Sequence, residues 1–222
     1  MTNFVSERRL LEGPWQAFER CIARMLEHGG FTDVKIVGGT GDQGADVVAM
    51  QGSNRWVFQA KHRASGSIGK AAVAETFKAL NAYNADIGVT ATNRYFSKEA
   101  KAYHESVHSL GFDIRLWNRD DLLGFSEDLN EESLARRTPR PYQDEAITAV
   151  LESINSDQPR GLVTLATGLG KTMVAATLIQ KYLEDRPNSK VLVLAHMSDL
   201  IRQLDNACWP QFERHLDTHI WT

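Results

Sequence analysis

The stretch that decides the fold of the first half of the chain is GDQGADVVAMQGSNRWVFQAK, residues 41–61. A Gly-rich turn opens it, and two runs rich in β-branched and aromatic residues follow, Ala45–Met50 and Arg55–His62. The residues between these runs, Gly52 to Asn54, are typical of a tight turn. We therefore predict a β-hairpin at this point of the chain.

The flanking sequence extends this hairpin into a larger α/β unit. Before it, Pro14–His28 carries apolar residues at helical spacing, and a strand is predicted at Val34–Val37. After it, helices alternate with short apolar strands, which is the pattern of βαβ units. These elements are the helices Lys70–Tyr83 and Ser97–Leu110 and the strands Ile87–Ala91 and Asp113–Trp117. The sequence thus predicts one α/β domain within residues 1–125.

An acidic segment separates this unit from a second one. Residues 126–135, SEDLNEESLA, contain four acidic and no basic side chains, which is typical of a linker. In residues 136–222 the predicted elements are helix Tyr142–Ile154, strand Leu162–Leu165, a turn, a helix through about Glu184 and strand Val191–Leu194. A parallel sheet needs both faces covered to be stable. Because two strands are too few for this, we expect the front part of a longer domain.

Composition narrows the class of protein. The 222 residues include 25 Lys and Arg and 28 Asp and Glu, a formal net charge of −3, which does not fit a histone-like polyanion binder. No apolar stretch reaches the roughly 20 residues of a membrane span. The two cysteines, Cys21 and Cys208, exclude a disulfide framework and fit a reducing compartment. We therefore expect a cytoplasmic protein that does not associate with membranes.

Three residues of the hairpin form a candidate catalytic set. Asp46 begins one strand, and Gln59 and Lys61 lie two apart on its partner, so their side chains share one face. A carboxylate and an amide oxygen are ligands that Mg²⁺ accepts. An ammonium group nearby can orient a water molecule and stabilise charge on a phosphoryl group. We therefore predict a metal-dependent site for phosphodiester hydrolysis, with Glu19 on the first helix as a fourth residue.

The segment GDQGADVV followed by WVFQAK resembles the Mrr-type restriction endonucleases of the PD-(D/E)xK superfamily, in which D…QxK replaces D…(E/D)xK. The resemblance covers Pro14 to Phe125. It implies that Asp46 and Gln59 bind Mg²⁺ or Mn²⁺, that Lys61 is catalytic and that Glu19 completes the site. Asp42 is a weaker candidate for shaping the turn or touching the metal. The implied fold is a restriction-endonuclease-like core, a mixed central sheet flanked by helices.

The implied substrate is double-stranded DNA. Arg63, Lys70 and Lys78 are candidates for phosphate contacts, which would position the duplex without reading its sequence. His62 is expected on the opposite face of the strand from Lys61 and is given no catalytic role. Whether a homodimer is needed to cut both strands is left open. Because Gln replaces the second acid, we expect weaker metal binding.

A phosphate-binding turn is predicted in the second unit. The sequence ATGLGKT, residues 166–172, follows an apolar run and opens a helix, so its backbone N–H groups can hold phosphates while Lys171 reaches the β- and γ-phosphates and Thr172 binds Mg²⁺. Leu165 stands where the strict P-loop pattern has its first Gly. The turn resembles motif I of superfamily-two helicases and translocases. The implied nucleotide-binding residues are Gln143 of RPYQ, which would read adenine, and Thr167, Gly168, Gly170, Lys171 and Thr172.

Further similarity to helicases lies in VLVLAHMSDLIRQ, residues 191–203, which resembles motif Ia. The resemblance implies a truncated RecA-like P-loop domain over residues 136–222. No DExH motif follows, so we expect efficient ATP hydrolysis to be absent from this chain, with ATP a cofactor of the full-length parent. Three hypotheses remain. The chain is a DNA endonuclease from an ATP-dependent restriction or phage-defence enzyme, a non-cleaving DNA-binding module, or an NTP-binding fragment.

Overall fold

A computed structural model describes residues 15–37, 43–129, 138–157, 159–208, 211–212, 216, 218 and 220. The chain divides into two compact units, residues 1–134 and residues 135–222, and each is described here by itself. In the described ranges, no helix combines the length and the apolar character needed to cross a lipid bilayer.

The first unit alternates helices and strands as the sequence predicts. Its helices are α1 Trp15–His28, α2 Lys70–Ala82, α3 Lys98–Ser109 and α4 Arg119–Asp128. Its strands are β1 Thr32–Ile36, β2 Val47–Gln51, β3 Asn54–Lys61, β4 Ile87–Thr92 and β5 Asp113–Trp117. The predicted helix and strand types in this unit are confirmed, and their ends differ by a few residues.

The five strands form one mixed sheet in the order β1-β2-β3-β4-β5. The predicted hairpin is β2 and β3, paired antiparallel with Val47 opposite Phe58. β4 adds parallel to β3, with Lys61 opposite Thr92, and β5 adds parallel to β4. Parallel neighbours need a crossover connection, and α2 and α3 provide it. The end of β3 at Lys61 therefore lies next to the end of β4.

Helices pack on both faces of the sheet because alternate residues of β3 point in opposite directions. Val57 is fully buried in a cluster with residues of α2 and α3, among them Val73 and Ala100. Phe58 contacts other rings instead: its ring centroid lies 6.0 Å from that of Phe31 and 5.7 Å from that of Trp117. Both faces of β3 are thus part of a core, which fixes the strand that ends in the candidate catalytic residues.

The last helix of the first unit extends into the first residues of the predicted linker. α4 begins with a capping box, in which Asn118 accepts from the backbone N–H of Asp121 and Asp121 accepts from that of Asn118. The helix continues to Asp128, and Ser126 and Leu129 are buried. Ser126 and Leu129, which the sequence assigned to the linker, are therefore buried in the structure, whereas Glu127 and Asp128 between them are exposed. Residues 130–137 lie outside the described residues.

The second unit contains three described helices, α5 Pro141–Ile154, α6 Lys171–Asp185 and α7 Ser198–Cys208. α5 and α6 are connected by an ion pair between Lys181 Nζ and Asp144 Oδ1 at 3.0 Å. A small apolar cluster contains Ala176, Cys208 and Phe212. The helices predicted at 142–154 and from the GKT turn onward are confirmed.

The two strands predicted in this unit are not formed within the described ranges. Residues 162–165 and 191–194 carry no strand assignment and pair with no other segment. Leu162 is 91% exposed and Leu194 is 81% exposed. The strands were predicted from the apolar composition of these runs alone. A strand also requires a hydrogen-bonded neighbour, which neither run has within the described ranges. The prediction of strands at these two positions was therefore wrong for this structure.

Candidate functional site

Asp46 is fixed in place by its own backbone. Its N–H donates to Phe58 O at 2.8 Å, and its carbonyl oxygen accepts from Val37 N at 2.8 Å, so the residue is held between the end of β1 and the partner strand β3. The side chain is buried, with 5% of the residue exposed. Asp46 precedes β2 directly, as the hairpin prediction requires.

The Asp46 carboxylate is bonded to two groups at the end of β3. Its Oδ2 atom accepts from Gln59 Nε2 at 2.5 Å and from Ala60 N at 2.7 Å. Since an ionised carboxylate can only accept, the amide nitrogen of Gln59 must be the atom that faces it. The other amide atom, Gln59 Oε1, is buried and has no hydrogen-bond partner within the described part of the chain. Buried polar atoms are rarely left without a partner, so this oxygen fits a metal ligand.

Lys61 is the last residue of β3, and its Nζ atom lies 2.5 Å from Oε2 of Glu75 on α2. The two side chains are 34% and 41% exposed. His62 lies beyond the end of the strand and packs on Phe18 of α1, with the ring centroids 5.6 Å apart. Lys61 and His62 therefore approach different helices.

One cavity of about 790 Å³ contains the predicted catalytic set. The structure brings together Glu19, Asp46, Gln59 and Lys61 in its lining, and Glu75, Lys78 and His62 also line it. Glu75 was not found by sequence reasoning, because only the packing of α2 against the sheet brings it to Lys61. The only signal in the sequence was that Glu75 lies on the predicted helix that follows the Gln-x-Lys pair.

The acidic residues of the cavity do not form a closed metal cage. In the residues that the structure describes, no three His, Cys, Asp or Glu side chains converge closely enough to hold a metal ion. Asp46 with the free oxygen of Gln59 is an open pair of oxygen donors, and Mg²⁺ keeps several waters and needs few protein ligands. The residues present therefore fit a hydrated divalent cation. Asp42 lies outside the described residues.

The three candidate phosphate contacts occupy different places. Lys78 is exposed and lines the cavity. Arg63 donates from Nη1 to Ser67 O at 3.3 Å, and its backbone N–H donates to Asn93 Oδ1 at 2.9 Å. Lys70 lies with Nζ 5.1 Å from the centroid of the Tyr103 ring. Of the three, the structure brings only Lys78 into the lining of the cavity.

The candidate nucleotide loop of the second unit is held by its own polar groups. Lys171 Nζ donates to Leu165 O at 2.6 Å and to Ala166 O at 3.2 Å. Gly170 has a φ of 77°, a left-handed conformation that favours glycine, and a Cβ there would lie 2.6 Å from Gln143 Nε2. Thr167 and Gly168 are exposed in the turn, and Thr172 is half-buried in the first turn of α6.

Gln143, the predicted adenine contact, lies beside this loop. Its Nε2 donates to Leu169 O at 2.8 Å, and its Oε1 accepts from Arg140 N at 2.9 Å. Tyr142 Oη also donates to Leu169 O, at 3.2 Å. The RPYQ segment therefore both caps α5 and contacts the candidate phosphate-binding turn. The residues predicted from the helicase resemblance are thus brought together around residues 165–172.

These two units match two families of restriction proteins. The family model described as Restriction endonuclease, Mrr_cat, matches residues 10–125. This match covers more than half of the chain, so the protein belongs to the Mrr-type restriction endonuclease family. Residues 136–219 match the family described as Type III restriction enzyme, res subunit. The chain thus carries a restriction endonuclease domain followed by a helicase-like region, as the sequence predicts.

Individual relatives are similar to parts of the chain. The Type I restriction enzyme EcoAI endonuclease subunit of Escherichia coli is 34% identical over 70 residues, which is 32% of this chain and 9% of the relative. The putative mitochondrial ATP-dependent helicase irc3 of Schizosaccharomyces pombe is 39% identical over 70 residues, 31% of this chain and 12% of the relative. The chain therefore spans about a tenth of the length of these curated relatives.

Among solved structures, the MspJI restriction endonuclease in complex with a 27-mer oligonucleotide is 19% identical, with a TM-score of 0.40. The match covers 56% of this chain and 31% of that chain.

Proposed function

We propose that this chain is a Mg²⁺- or Mn²⁺-dependent endonuclease that hydrolyses phosphodiester bonds of double-stranded DNA, and that it forms the N-terminal part of an ATP-dependent restriction or phage-defence enzyme. One observation carries the proposal. The unpartnered oxygen of Gln59 is buried next to the Asp46 carboxylate, in a cavity that Lys61 also lines. Membership of the restriction endonuclease family supports it.

Each residue has a distinct part in this mechanism. Asp46 and Gln59 would hold the metal, with Glu19, which also lines the cavity, as a further ligand. When bound, the metal supplies Lewis acidity and lowers the pKa of a coordinated water. Lys61 donates hydrogen bonds to the water or to a phosphoryl oxygen and stabilises negative charge there. The two hydrogen bonds to Asp46 Oδ2 keep the carboxylate from rotating.

The amide of Gln59 has a consequence for metal affinity. A neutral oxygen contributes less to binding a divalent cation than a carboxylate does, because the site then carries one negative charge fewer. We therefore propose that cleavage needs millimolar metal or a partner that closes the site. Lys78, at the cavity, would contact a DNA phosphate and hold the duplex over the metal.

Plasmid cleavage tests this function. Supercoiled DNA incubated with the full chain and Mg²⁺ or Mn²⁺ should be nicked or broken, and chelation should stop the reaction. Asp46→Asn keeps the size of the side chain and an oxygen that can accept from Ala60, but removes the charge. It and Lys61→Ala should each reduce the rate by about 10²–10³-fold. Lys101→Ala, an exposed lysine of α3, is the matched control.

Two outcomes would reject this proposal. Undiminished cutting by Asp46→Asn or Lys61→Ala would show that the cavity is not the active site. Binding of DNA with no cleavage across a metal series would favour the non-cleaving DNA-binding module instead. Linear products formed in a step that is second order in protein would indicate a homodimer that cuts both strands.

For the second unit, we propose weak nucleotide binding without efficient hydrolysis, and a linker that separates it from the nuclease unit. Nucleotide phosphates would have to displace the two loop carbonyls that Lys171 contacts. Limited proteolysis should cut after Leu129, which is buried, and before Arg136. Full protection of that interval would contradict the separation.

A further inference from the structure

The ion pair between Lys61 and Glu75 joins the end of β3 to α2 inside the candidate active site. The mechanism proposed above uses Lys61 and leaves Glu75 without a part. With 34% and 41% of the two side chains exposed, water screens the pair, and such pairs contribute little to folding stability. We therefore expect the pair to affect the position of the Lys61 ammonium group more than the folding stability.

The backbone of α2 is held firmly at Glu75. A Cβ on Gly44 would lie 2.6 Å from Glu75 O, so the turn that precedes Asp46 packs directly against the backbone of α2 at this residue. The next residue, Thr76, is fully buried, and its Oγ1 lies 2.7 Å from Oγ1 of Thr90 on β4. Because β4 is the parallel neighbour of β3, α2 is attached to the same sheet that carries Lys61.

The position of the Lys61 side chain depends on a partner such as Glu75 more than the positions of the Asp46 and Gln59 side chains do. Those two residues are buried and bonded to each other, whereas the lysine has a long flexible stem at the end of a strand. A carboxylate that is carried by this anchored helix and lies 2.5 Å from Nζ limits the positions that the ammonium group can take. The ammonium has three N–H donors, so two remain for a water molecule or a phosphoryl oxygen.

We propose that Glu75 is a positioning residue, which acts through Lys61 by holding its ammonium group over the Asp46–Gln59 pair. The inference rests on the proposed nuclease function. It differs from a role as metal ligand, in which Glu75 would change the metal concentration that the reaction needs. It also differs from a purely structural role, in which Glu75 would act independently of Lys61.

A double-mutant cycle in the full chain tests the inference. Single-turnover cleavage of plasmid DNA is measured for wild type, Glu75→Ala, Lys61→Ala and the double variant. Supporting structure of this kind is worth about 10–100-fold in activity, so Glu75→Ala should slow cleavage by that factor. The double variant should be no slower than Lys61→Ala alone, because the effect passes through the lysine.

Further measurements separate the alternative roles. The Mg²⁺ concentration at half-maximal rate should be unchanged in Glu75→Ala, and DNA affinity should be unchanged or tighter, because a negative charge leaves a surface that faces phosphates. Glu75→Gln keeps an oxygen that can accept from Lys61 Nζ, so its rate should lie between those of wild type and Glu75→Ala. Glu105→Ala, an exposed glutamate of α3, should cleave at the wild-type rate.

Three results would overturn the inference: a wild-type rate in Glu75→Ala, a further loss when it is added to Lys61→Ala, or a raised Mg²⁺ requirement. If the wild-type chain cuts no DNA with any metal, the proposed function fails, and the Lys61 side chain is then examined by NMR. Glu75→Ala should make its Cε and Nζ signals more mobile than Glu105→Ala does. Equal mobility would overturn the positioning role on its own.

Discussion

The amide of Gln59 occupies the place beside Asp46 where a second carboxylate would meet a like charge. Its Nε2 atom is the donor in a 2.5 Å hydrogen bond to Asp46 Oδ2. The pair is therefore stable without a cation, while Gln59 Oε1 stays available for one. In the D…(E/D)xK pattern, by contrast, two acids at these positions repel each other until a metal binds.

Substitution of Gln59 by glutamate should lower the stability of the metal-free protein and raise its affinity for Mg²⁺. Gln59→Glu removes the donor to Asp46 and places two buried carboxylates in contact. In EDTA we expect the free energy of unfolding to fall by about 1–3 kcal/mol. Mg²⁺ should restore most of it and bind more tightly than to wild type. Urea denaturation with and without Mg²⁺ measures both effects, and Gln51→Glu, on an exposed position of the hairpin, is the control. Equal stability of Gln59→Glu and wild type in EDTA would contradict the contact.

Gly44 should tolerate no side chain. Its φ is +89°, and a Cβ would lie 2.6 Å from Glu75 O, a backbone atom that cannot move without shifting α2. Gly44→Ala should therefore lower the free energy of unfolding by about 1–3 kcal/mol. Gly124→Ala is the matched control, and its effect on the free energy of unfolding should have the opposite sign. Gly124 lies within helix α4, and a Cβ there would contact nothing within 4 Å. That variant should gain about 0.5–1 kcal/mol. Thermal denaturation of both variants checks the prediction, and a stable Gly44→Ala would refute it.

Lys78 should contribute to DNA affinity through charge alone. It is exposed and lines the cavity, so Lys78→Ala should weaken binding to all sequences about equally. The slope of log affinity against log salt concentration should become smaller by about 1. Fluorescence anisotropy with short duplexes in EDTA measures this without cleavage. Lys101→Ala should leave the slope unchanged, and an equal change in both variants would show that Lys78 has no special contact.

Lys171 should carry most of the nucleotide affinity of the second unit. Charge-assisted hydrogen bonds are worth about 1.5–3 kcal/mol, so Lys171→Ala should weaken binding of a fluorescent ATP analogue by about 10–100-fold. We expect wild-type binding to be weak already, with negligible hydrolysis. Lys190→Ala, an exposed lysine of the same unit, is the control. Rapid hydrolysis by the wild-type chain would contradict the proposal.

Local patterns predicted the nuclease unit well because each element carries its own signal. Apolar spacing located α1, and the turn between the two β-rich runs located the hairpin that aligns Asp46 with Gln59. The two-residue period of β3 correctly separated Lys61 from His62, which approach α2 and α1 respectively. In such cases the geometry follows from residues close together in sequence.

Features that depend on packing could not be predicted in the same way. The contact of Glu75 with Lys61 depends on how α2 lies on the sheet, which no spacing encodes. The burial of Ser126 likewise reflects tertiary packing and overrides the acidic composition of its segment. The strands predicted at Leu162–Leu165 and Val191–Leu194 required hydrogen-bonded neighbours, which composition does not specify. Whether the site residues perform the predicted roles stays a prediction that the variants above test.

The tip of the β2–β3 hairpin offers a site for protein engineering. From the Asp46 end to the Gln51–Asn54 pair the strands extend five residues, about 17 Å at 3.4 Å per residue. Gly52 at the tip is exposed and has open space around it. A fluorophore or affinity tag inserted there would lie well away from the candidate site, so binding of the chain to DNA could be followed without disturbing that site.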